Sequence, residues 1–540
     1  MSNLGYFVVI DKIVVQNYRF FRDFTLQLTP GMNILVGDNG TGKSSLLEAV
    51  NLALTSRLYG HVLAQELSPY LFNMGITNEY LADVVKGLRP EPPELLIELF
   101  LNDTADTSIL RGTNNSLGED ACGIRYRASF NSDYSKEYSL FIEKPEHVRL
   151  IPIEYYKVEW LGFSGNAVTP RSIPATASLI DASSIRLQSG TDHYMQGIIN
   201  RHLAASERVE LARAYRSLRE EFANNTSIKA INTKLATTDS DVSDRSLSLG
   251  IDISQKASWE SNLVPHLDDL PFQYVGKGEQ STLKILLALN RKIDDAHIIL
   301  VEEPENHLSF SSLNMLVSKI GTKCADKQVL IATHSSYVLN KLGLENLILL
   351  SPAGGLRITN LAEGTQDYFQ KLSGYDTLRL ILAKQVILVE GPSDELIVQR
   401  AYLDKNGKLP IEDGVDVINV RGLSFKRFLD IAVPLGLAVR VVTDNDGKDP
   451  NAVVAGYSEY EKQPNISVHV GQDASVPTMD PQLVIANSRT ILNQVFGKTF
   501  NDDQSLLNYM CSNKTTCALA IFQWANNLTM PSYIDDAVTK

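Results

Sequence analysis

Cysteine is scarce in this chain: Cys122, Cys324, Cys511 and Cys517 are the only four among 540 residues. None stands at the paired spacing of a zinc knuckle, and the four read as reduced thiols of a cytoplasmic protein. No run of eighteen apolar residues occurs. The most apolar stretch, Ile431 to Val442, is short and broken by Pro434 and Arg440, so no segment is expected to cross a membrane. A basic start followed by a long apolar segment is missing too, and no export signal is expected. Basic residues are outnumbered by acidic ones, 50 to 63, for a net charge of −13. That argues against broad adhesion to nucleic acid but leaves room for a local basic groove around an acidic, metal-loaded centre. Internal repeats and low-complexity tails are lacking. What is there is an ordinary globular composition, 44% hydrophobic and 21% charged, long enough for two to four domains.

Residues 7 to 36 alternate apolar and polar in short runs and end in Asn33-Ile34-Leu35-Val36, which predicts a small β-meander feeding a Gly-rich loop. A Leu- and Ala-rich helix is expected from Lys43 to about Leu54, and a strand from Glu94 to Leu101. Gln196 to Asn224 carries strong helix formers with Leu211, Tyr215, Leu218 and Phe222 on one face. Two readings fit it: a surface helix packed on its own domain, or a helical insertion that pairs with a second subunit. Thr226 to Gly250 is polar and reads as a loop. An α/β pattern returns over residues 270 to 350, a linker is expected from Pro352 to about Tyr375, and a second α/β unit begins at Val386. The expected domains are 1–185 and 251–375 as two parts of one ATPase, 186–250 as a helical insertion, and 376–540 as a separate C-terminal domain.

Gly37-Asp38-Asn39-Gly40-Thr41-Gly42-Lys43-Ser44-Ser45 satisfies the P-loop pattern between a buried strand and a helix. Gly37, Gly40 and Gly42 let backbone N–H groups, with those of Asn39, Thr41 and Ser45, close around phosphate at a helix N-terminus. Lys43 would reach the β- and γ-phosphates of ATP and the Ser44 hydroxyl would ligate Mg2+. Downstream, Ile298-Ile299-Leu300-Val301 is a buried strand that delivers Glu302 and Glu303 at its carboxyl end, where α/β folds place ligands. Glu302 is suited to hold the magnesium water shell and Glu303 to polarise the attacking water.

A second acidic site is built in the same way. Val386-Ile387-Leu388-Val389 delivers Glu390, a tight turn comes next, and a helix starts near Asp394. About fifty residues later Val439 to Thr443 delivers Asp444-Asn445-Asp446. Alternate residues of an extended segment share one side, so Asp444 and Asp446 are expected to face one cation. Carboxylates converging at strand tips are what one or two Mg2+ or Mn2+ ions require for phosphodiester hydrolysis.

Resemblances to known families sharpen this reading. Gly276-Lys277-Gly278-Glu279-Gln280, opening a helix over Ser281 to Asn290, resembles a degenerate ABC signature, which implies that Gly278 and Glu279 contact the γ-phosphate bound by an opposite subunit. His334, after the buried Val329 to Thr333, resembles the ABC switch histidine. This order of motifs is similar to the ABC ATPases of the SMC, Rad50 and RecF group. Some 235 residues separate Lys43 from Gly278, room for a lobe and a modest insertion but not an SMC arm. The signature lacks Ser-Gly-Gly-Gln, and no Q-loop glutamine stands out.

Glu-Gly-x-x-Asp with a later Asp-x-Asp resembles the Toprim fold. Joined to an ABC module, and with Asn17 to Phe24 and the Glu-Glu-Pro-Glu-Asn-His-Leu box, it resembles the OLD (overcoming lysogenization defect) family of nucleases over nearly the whole chain. The implied fold class is α/β, an ABC-type ATPase with a helical insertion followed by a C-terminal Toprim domain. The resemblance also implies metal-side roles for Glu390, Asp394, Asp444 and Asp446. Thr478-Met479-Asp480 resembles the family's Thr-Leu-Glu, with the shorter aspartate as the third metal-side acid. Lys514, opening Lys514 to Ala520, resembles a catalytic lysine on a C-terminal helix and would stabilise the transition state. Arg421, Lys426 and Arg427 fit either a phosphate clamp or an ordinary basic surface.

Together the motifs and resemblances predict an ATP-regulated, Mg2+- or Mn2+-dependent endonuclease that cuts DNA. It would act as a homodimer or higher oligomer, in anti-phage defence or DNA processing, with a defence partner protein or noncoding RNA as a further possibility. Two alternatives stay open: a Toprim ribonuclease acting as a toxin under a partner's control, and an ATP-switched scaffold that only binds DNA.

Overall fold

A computed structural model describes residues 8–58, 61–62, 66–143, 148–181, 187–188, 191–192, 203–238, 249, 264–280, 282–283, 297–324, 326–351, 354–357, 364–365, 377–422, 424–460 and 462–539. The chain divides into two units, Met1–Asn33 with Gly42–Thr333, and Ile34–Thr41 with His334–Lys540.

In the first unit, β1 (Ile10–Tyr18) and β2 (Phe21–Gln27) pair antiparallel, as their alternation predicts. The expected meander stops there. The next strand, β3 (Met32–Val36), joins another sheet, because Ile34, Leu35 and Val36 are fully buried and need cover on both faces. The free edge of β1 pairs instead with β4 (Leu95–Leu101), followed by β5 (Ala121–Phe130) and β6 (Tyr156–Gly162), all antiparallel. β7 (Ala177–Asp181), β8 (Ile298–Glu302) and β9 (Gln328–Ala332) run parallel, with Glu302 opposite Asp181 and Ala332. Helix α1 (Lys43–Thr55) packs on these three strands and buries Leu46, Leu47, Val50 and Leu54.

Two exposed helices come next, α2 (Ala205–Asn224) and α3 (Thr226–Thr238), packed on each other. Residues 196–202, the start of the expected helix, lie outside the described residues. Of its apolar face, Leu211 and Tyr215 are half-buried while Leu218 and Phe222 remain exposed. The loop expected from Thr226 is corrected to a helix for its first thirteen residues. Ile228, Ile231 and Leu235 recur at helical spacing, and the Asn225 side chain accepts a hydrogen bond from the Ser227 N–H at 2.9 Å.

In the second unit, the end of β3 pairs parallel with β10 (Leu347–Ser351), which turns back into β11 (Gly354–Arg357). The expected linker therefore begins with a paired strand; most of its remainder lies outside the described residues. After α4 (Ser336–Leu342) and α5 (Thr377–Leu382) comes a four-stranded parallel sheet. Its strands are β12 (Gln385–Val389), β13 (Val415–Asn419), β14 (Ala438–Thr443) and β15 (Ile466–Val470), in the order β13-β12-β14-β15. Crossovers through α6 (Pro392–Asn406) and α7 (Phe425–Ala432) bring the carboxyl ends of β12 and β14 side by side. Helices α8 (Met479–Ala486), α9 (Lys514–Gln523) and α10 (Ser532–Val538) complete a core in which Ile387, Ile397, Leu483, Ile521 and Ile534 are at most 1% exposed.

Arg400 on α6 fixes the far end of α9. Its guanidinium donates to the carbonyls of Ile521, Phe522, Trp524 and Asn526 and bonds Asp404 at 2.9 Å. A buried charge is tolerated there because nearly every N–H has an acceptor and the last carbonyls of a helix need donors. α9 is thereby held against the helix that carries Asp394.

Candidate functional site

The Gly-rich segment from Gly37 to Gly42 closes as expected between β3 and α1. The Thr41 hydroxyl and N–H both donate to the Asp38 carbonyl, at 2.9 and 3.3 Å. A Cβ on Gly37 would stand 2.6 Å from Thr41 Oγ1 and 3.0 Å from the Leu350 carbonyl. Gly42 has φ 92° and would place a Cβ 2.6 Å from the Phe21 ring. Asn39, Gly40 and Ser44 are exposed, whereas Lys43 and Ser45 are 6% and 3% exposed at the helix start. The motif Asn17 to Phe24 finds its structural role here: Arg19 pairs with Glu48 of α1 at 2.8 Å, and Phe21 lies against Gly42. Gly42→Ala combines a left-handed backbone with that collision. It is expected to cost about 1–3 kcal/mol of stability, measured by chemical denaturation, and to weaken ATP binding.

Glu302 and Glu303 stand at the tip of β8, beneath the helix that begins with Lys43. Glu303 is in the left-handed region, φ 42°, with its N–H on the Ala332 carbonyl at 2.8 Å and its carboxylate on Asn306. A non-glycine residue held there marks a position where the fold imposes side-chain direction. Thr333 donates to the Glu305 carboxylate at 2.9 Å, and His334 comes directly after it, exposed. The signature segment departs from expectation. Its helix begins at Lys277 rather than Ser281, and residues 284–290 lie outside the described residues. Gly278 is packed so tightly that a Cβ would meet the His307 carbonyl at 2.4 Å. Glu279 is exposed, while Gln280 is buried and donates to the Phe272 and Val275 carbonyls, both at 2.8 Å, which fixes the preceding loop.

At the carboxyl ends of β12 and β14, Glu390, Asp394 and Asp444 crowd together. Glu390 Oε1 accepts from the Thr443 hydroxyl at 2.7 Å and the Asp444 N–H at 3.1 Å. Asp394, at the third position of α6, accepts from the Gly391 N–H at 2.8 Å and closes the helix N-terminus. Burial pushes Asp394 up to about 6, with the Glu390 charge adding to it. Burial pushes Asp444 up to about 7, helped by Glu390 and Asp394. Asp480, 7% exposed at the start of α8, is raised by burial and eased by Lys514, whose Nζ is 3.7 Å away at the start of α9. Among the described residues, no three acids already meet around one point at ligand distance. They repel instead, and oxygen donors crowded in a poorly solvated place fit a hard divalent cation as counter-charge.

Asp446 does not follow the sequence argument. The segment after β14 is a turn, Asp446 has φ 53°, and its side chain is 64% exposed at the rim beside Lys448. Asn445 causes the turn. Fully buried, it donates to the Gly471 and Asp473 carbonyls at 3.0 and 2.8 Å and accepts the Gly447 N–H at 2.8 Å. Of the nearby basic residues, Lys426 pairs with Glu459 at 2.8 Å and Arg427 donates to Thr365 at 2.7 Å. Arg421, φ 54°, sits in the turn where the Gly422 N–H binds the Glu390 carbonyl at 2.7 Å. Sequence reasoning missed Thr443, Tyr457 and Tyr533. Thr443 was findable as the last strand residue before an acid. Tyr457 and Tyr533 had no local signal, although the Glu390 charge is felt at both.

The raised carboxyls carry a sign. Between about pH 4 and 7 the unfolded chain has released protons, near 3.8, that folded Asp394 and Asp444 retain. Their contribution to stability is therefore lost as pH rises through 6 to 7. Asp444→Asn should raise the melting temperature of chelator-treated protein strongly at pH 8 and clearly less at pH 5. Equal effects at both pH values would contradict the electrostatics.

Comparisons with known proteins bear on both sites. Residues 381–446 match the family model "Overcoming lysogenization defect protein-like, TOPRIM domain". Residues 12–62 match an AAA domain and 183–339 an AAA ATPase domain. The DNA replication and repair protein RecF of Magnetococcus marinus is 36% identical over 61 residues, 11% of this chain and 16% of that protein. The DNA double-strand break repair Rad50 ATPase of Methanopyrus kandleri is 37% identical over 60 residues, 11% of this chain and 7% of that protein. The match thus spans less than a fifth of either relative's length. Among solved structures, the C-terminal region of the Burkholderia pseudomallei OLD protein is 18% identical with a TM-score of 0.24, covering 29% of this chain and 95% of that one. ATP-bound RecF is 11% identical with a TM-score of 0.33, covering 65% and 99%. The chain carries an AAA-type ATPase and an OLD-like Toprim domain on a mixed α/β fold.

Proposed function

We propose that this chain, an ATPase joined to an OLD-like Toprim domain, is a metal-dependent endonuclease that cuts DNA and is gated by ATP. The observation that carries the reading is the crowding of Glu390, Asp394 and Asp444 at adjacent strand ends, with Asp480 and Lys514 beside them. Acids that repel one another also repel phosphate, so a nucleic-acid site made of them makes sense only with cations.

Glu390, Asp394, Asp444 and Asp480 would hold Mg2+ or Mn2+, and Asp446 would act from the rim. A bound divalent ion supplies an activated water and neutralises charge developing on the phosphodiester. The chain's own residues do the rest. Thr443 and the Asp444 N–H hold Glu390 in place, leaving its second oxygen for a ligand. Lys514 offers a charge-assisted hydrogen bond to the scissile phosphate or the leaving oxygen. Arg421 takes a neighbouring phosphate.

In the ATPase, backbone N–H groups of Gly37 to Ser45 and the Lys43 ammonium would bind the triphosphate, with Ser44 and Glu302 on Mg2+ and Glu303 orienting water. Gly278 and Glu279 would complete the site across a homodimer, with His334 sensing the γ-phosphate and the α2–α3 hairpin as a pairing element. The biological setting, anti-phage defence or DNA processing in the cytoplasm with a further partner, comes from the family resemblance.

The test is incubation of purified protein with Mg2+ or Mn2+ and supercoiled, linear or single-stranded DNA or transfer RNA, with and without ATP. Cleavage confined to the DNA arms is expected. Cleavage of RNA alone would favour the toxin reading, and binding without cleavage of any polymer would favour the scaffold.

A further inference from the structure

The last helix of the chain reaches back to the acidic cluster. Tyr533, on α10, is 5% exposed, and its hydroxyl lies 3.4 Å from Asp444 Oδ1. The residues that seat this helix are particular. Arg440 Nη1 on β14 donates to the Ala537 carbonyl at 2.9 Å, and the Asn406 side chain donates to the Val538 carbonyl at 3.1 Å. Arg440 lies on β14 and Asp444 follows directly on its carboxyl end; Tyr533 and Ala537 are four apart on one helix, hence on one face. Strand and helix therefore meet at two points, one fixing the helix backbone and the other bringing a phenol to the carboxylate. The ring itself belongs to the apolar core, which limits the hydroxyl to a narrow range of positions.

We propose that Tyr533 is a positioning residue for Asp444: its hydroxyl holds one carboxylate oxygen so that the other faces the divalent cation. The inference rests on the nuclease reading above and deepens it. An aspartate at a strand end has two rotatable bonds and can swing away from neighbouring acids. Mutual repulsion with Glu390 and Asp394 favours that swing before a cation arrives. A donor fixed on a separate helix counteracts it, in the manner of the outer hydrogen bonds that orient metal ligands elsewhere. Tyr533 is 89 residues from Asp444 in the chain, and in the apolar context Pro531-Ser532-Tyr533-Ile534 it reads from sequence as a core residue.

The test is calorimetric titration of Mn2+ into the nucleotide-free full-length protein and its Tyr533→Phe variant, which keeps the ring and removes the hydroxyl. Tyr402→Phe serves as a control, since the Tyr402 ring is also buried in this core but its hydroxyl bonds Asp413, at 3.0 Å. Tyr533→Phe is expected to bind Mn2+ roughly tenfold more weakly, while Tyr402→Phe binds as the wild type does. The Mn2+ concentration for half-maximal cleavage should rise by the same factor, with the rate recovering at saturating metal. Equal Mn2+ affinity in wild type and Tyr533→Phe, or a loss shared by Tyr402→Phe, would overturn the assignment alone. A wild-type protein that binds no Mn2+ would overturn the metal reading beneath it as well.

Discussion

Replacing Asp444 with alanine is expected to lower DNA cleavage by on the order of 10³-fold while ATP binding persists. Asp444 is the half-buried acid on which three neighbours converge: the Glu390 and Asp394 charges and the Tyr533 hydroxyl. Removing it takes away a proposed metal ligand and the acceptor of the Tyr533 hydroxyl and the Met479 N–H. Asp446→Ala is expected to have a much smaller effect, because that side chain is exposed at the rim of a turn. Single-turnover cleavage with each variant, alongside nucleotide-binding titration, checks both statements. Equal losses would mean that both acids reach the ion despite the turn, and retained cleavage in Asp444→Ala would place the chemistry elsewhere.

The second large effect concerns the nucleotide site. Glu303→Gln should reduce ATP hydrolysis by about 10²-fold or more, the usual contribution of a positioned general base, and leave ATP binding intact. The amide keeps the length of the side chain and its hydrogen bond to Asn306 but cannot take a proton. Glu303 is held in a left-handed conformation with its N–H on Ala332, so the substitution should not move the backbone. Steady-state phosphate release with a filter-binding control for ATP is the measurement. Undiminished release would move the base to another residue.

How much of this was legible in the sequence depended on how local the cause was. The P-loop was, because Gly37, Gly42 and Lys43 act within one turn between a strand and a helix. The strand tips were too, since four consecutive apolar residues before Glu302 or Glu390, and the Val439, Val441 and Val442 run before Asp444, read as buried strands that end in polar ground. Asp446 misled because the rule of alternating sides holds only while the backbone stays extended. Asn445, buried by bonds to Gly471 and Asp473, ends the extension one residue too soon. The third strand of the expected meander failed for a similar reason, as its burial on both faces demands a different sheet. Residues 226–238 hid a helix behind a polar composition whose three spaced aliphatics carried the signal. Tyr533 was out of reach altogether, because only the docking of α10 on β14 brings it to Asp444.

The proposed ATP-dependent gate has a candidate physical route within the second unit. Ser336, which opens α4 just after His334, accepts a hydrogen bond from the Leu378 N–H at 3.3 Å. The next residue, Arg379, bonds Asp416 at 2.8 Å and lies 3.7 Å from Glu395, the neighbour of Asp394. A change at the histidine segment therefore has a short chain of polar contacts leading toward the metal-side helix.

The central claim is that the Toprim carboxylates cut DNA with a divalent ion and that ATP regulates the cut. Its most direct measurement is the rate of supercoiled DNA cleavage by the full chain in Mn2+ or in chelator, with ATP present or omitted, for wild type and Asp444→Ala. The account predicts cleavage only in wild type with Mn2+, at a rate that changes when ATP is added. Cleavage that survives chelation or the Asp444→Ala substitution, or a wild-type rate indifferent to ATP, would contradict it.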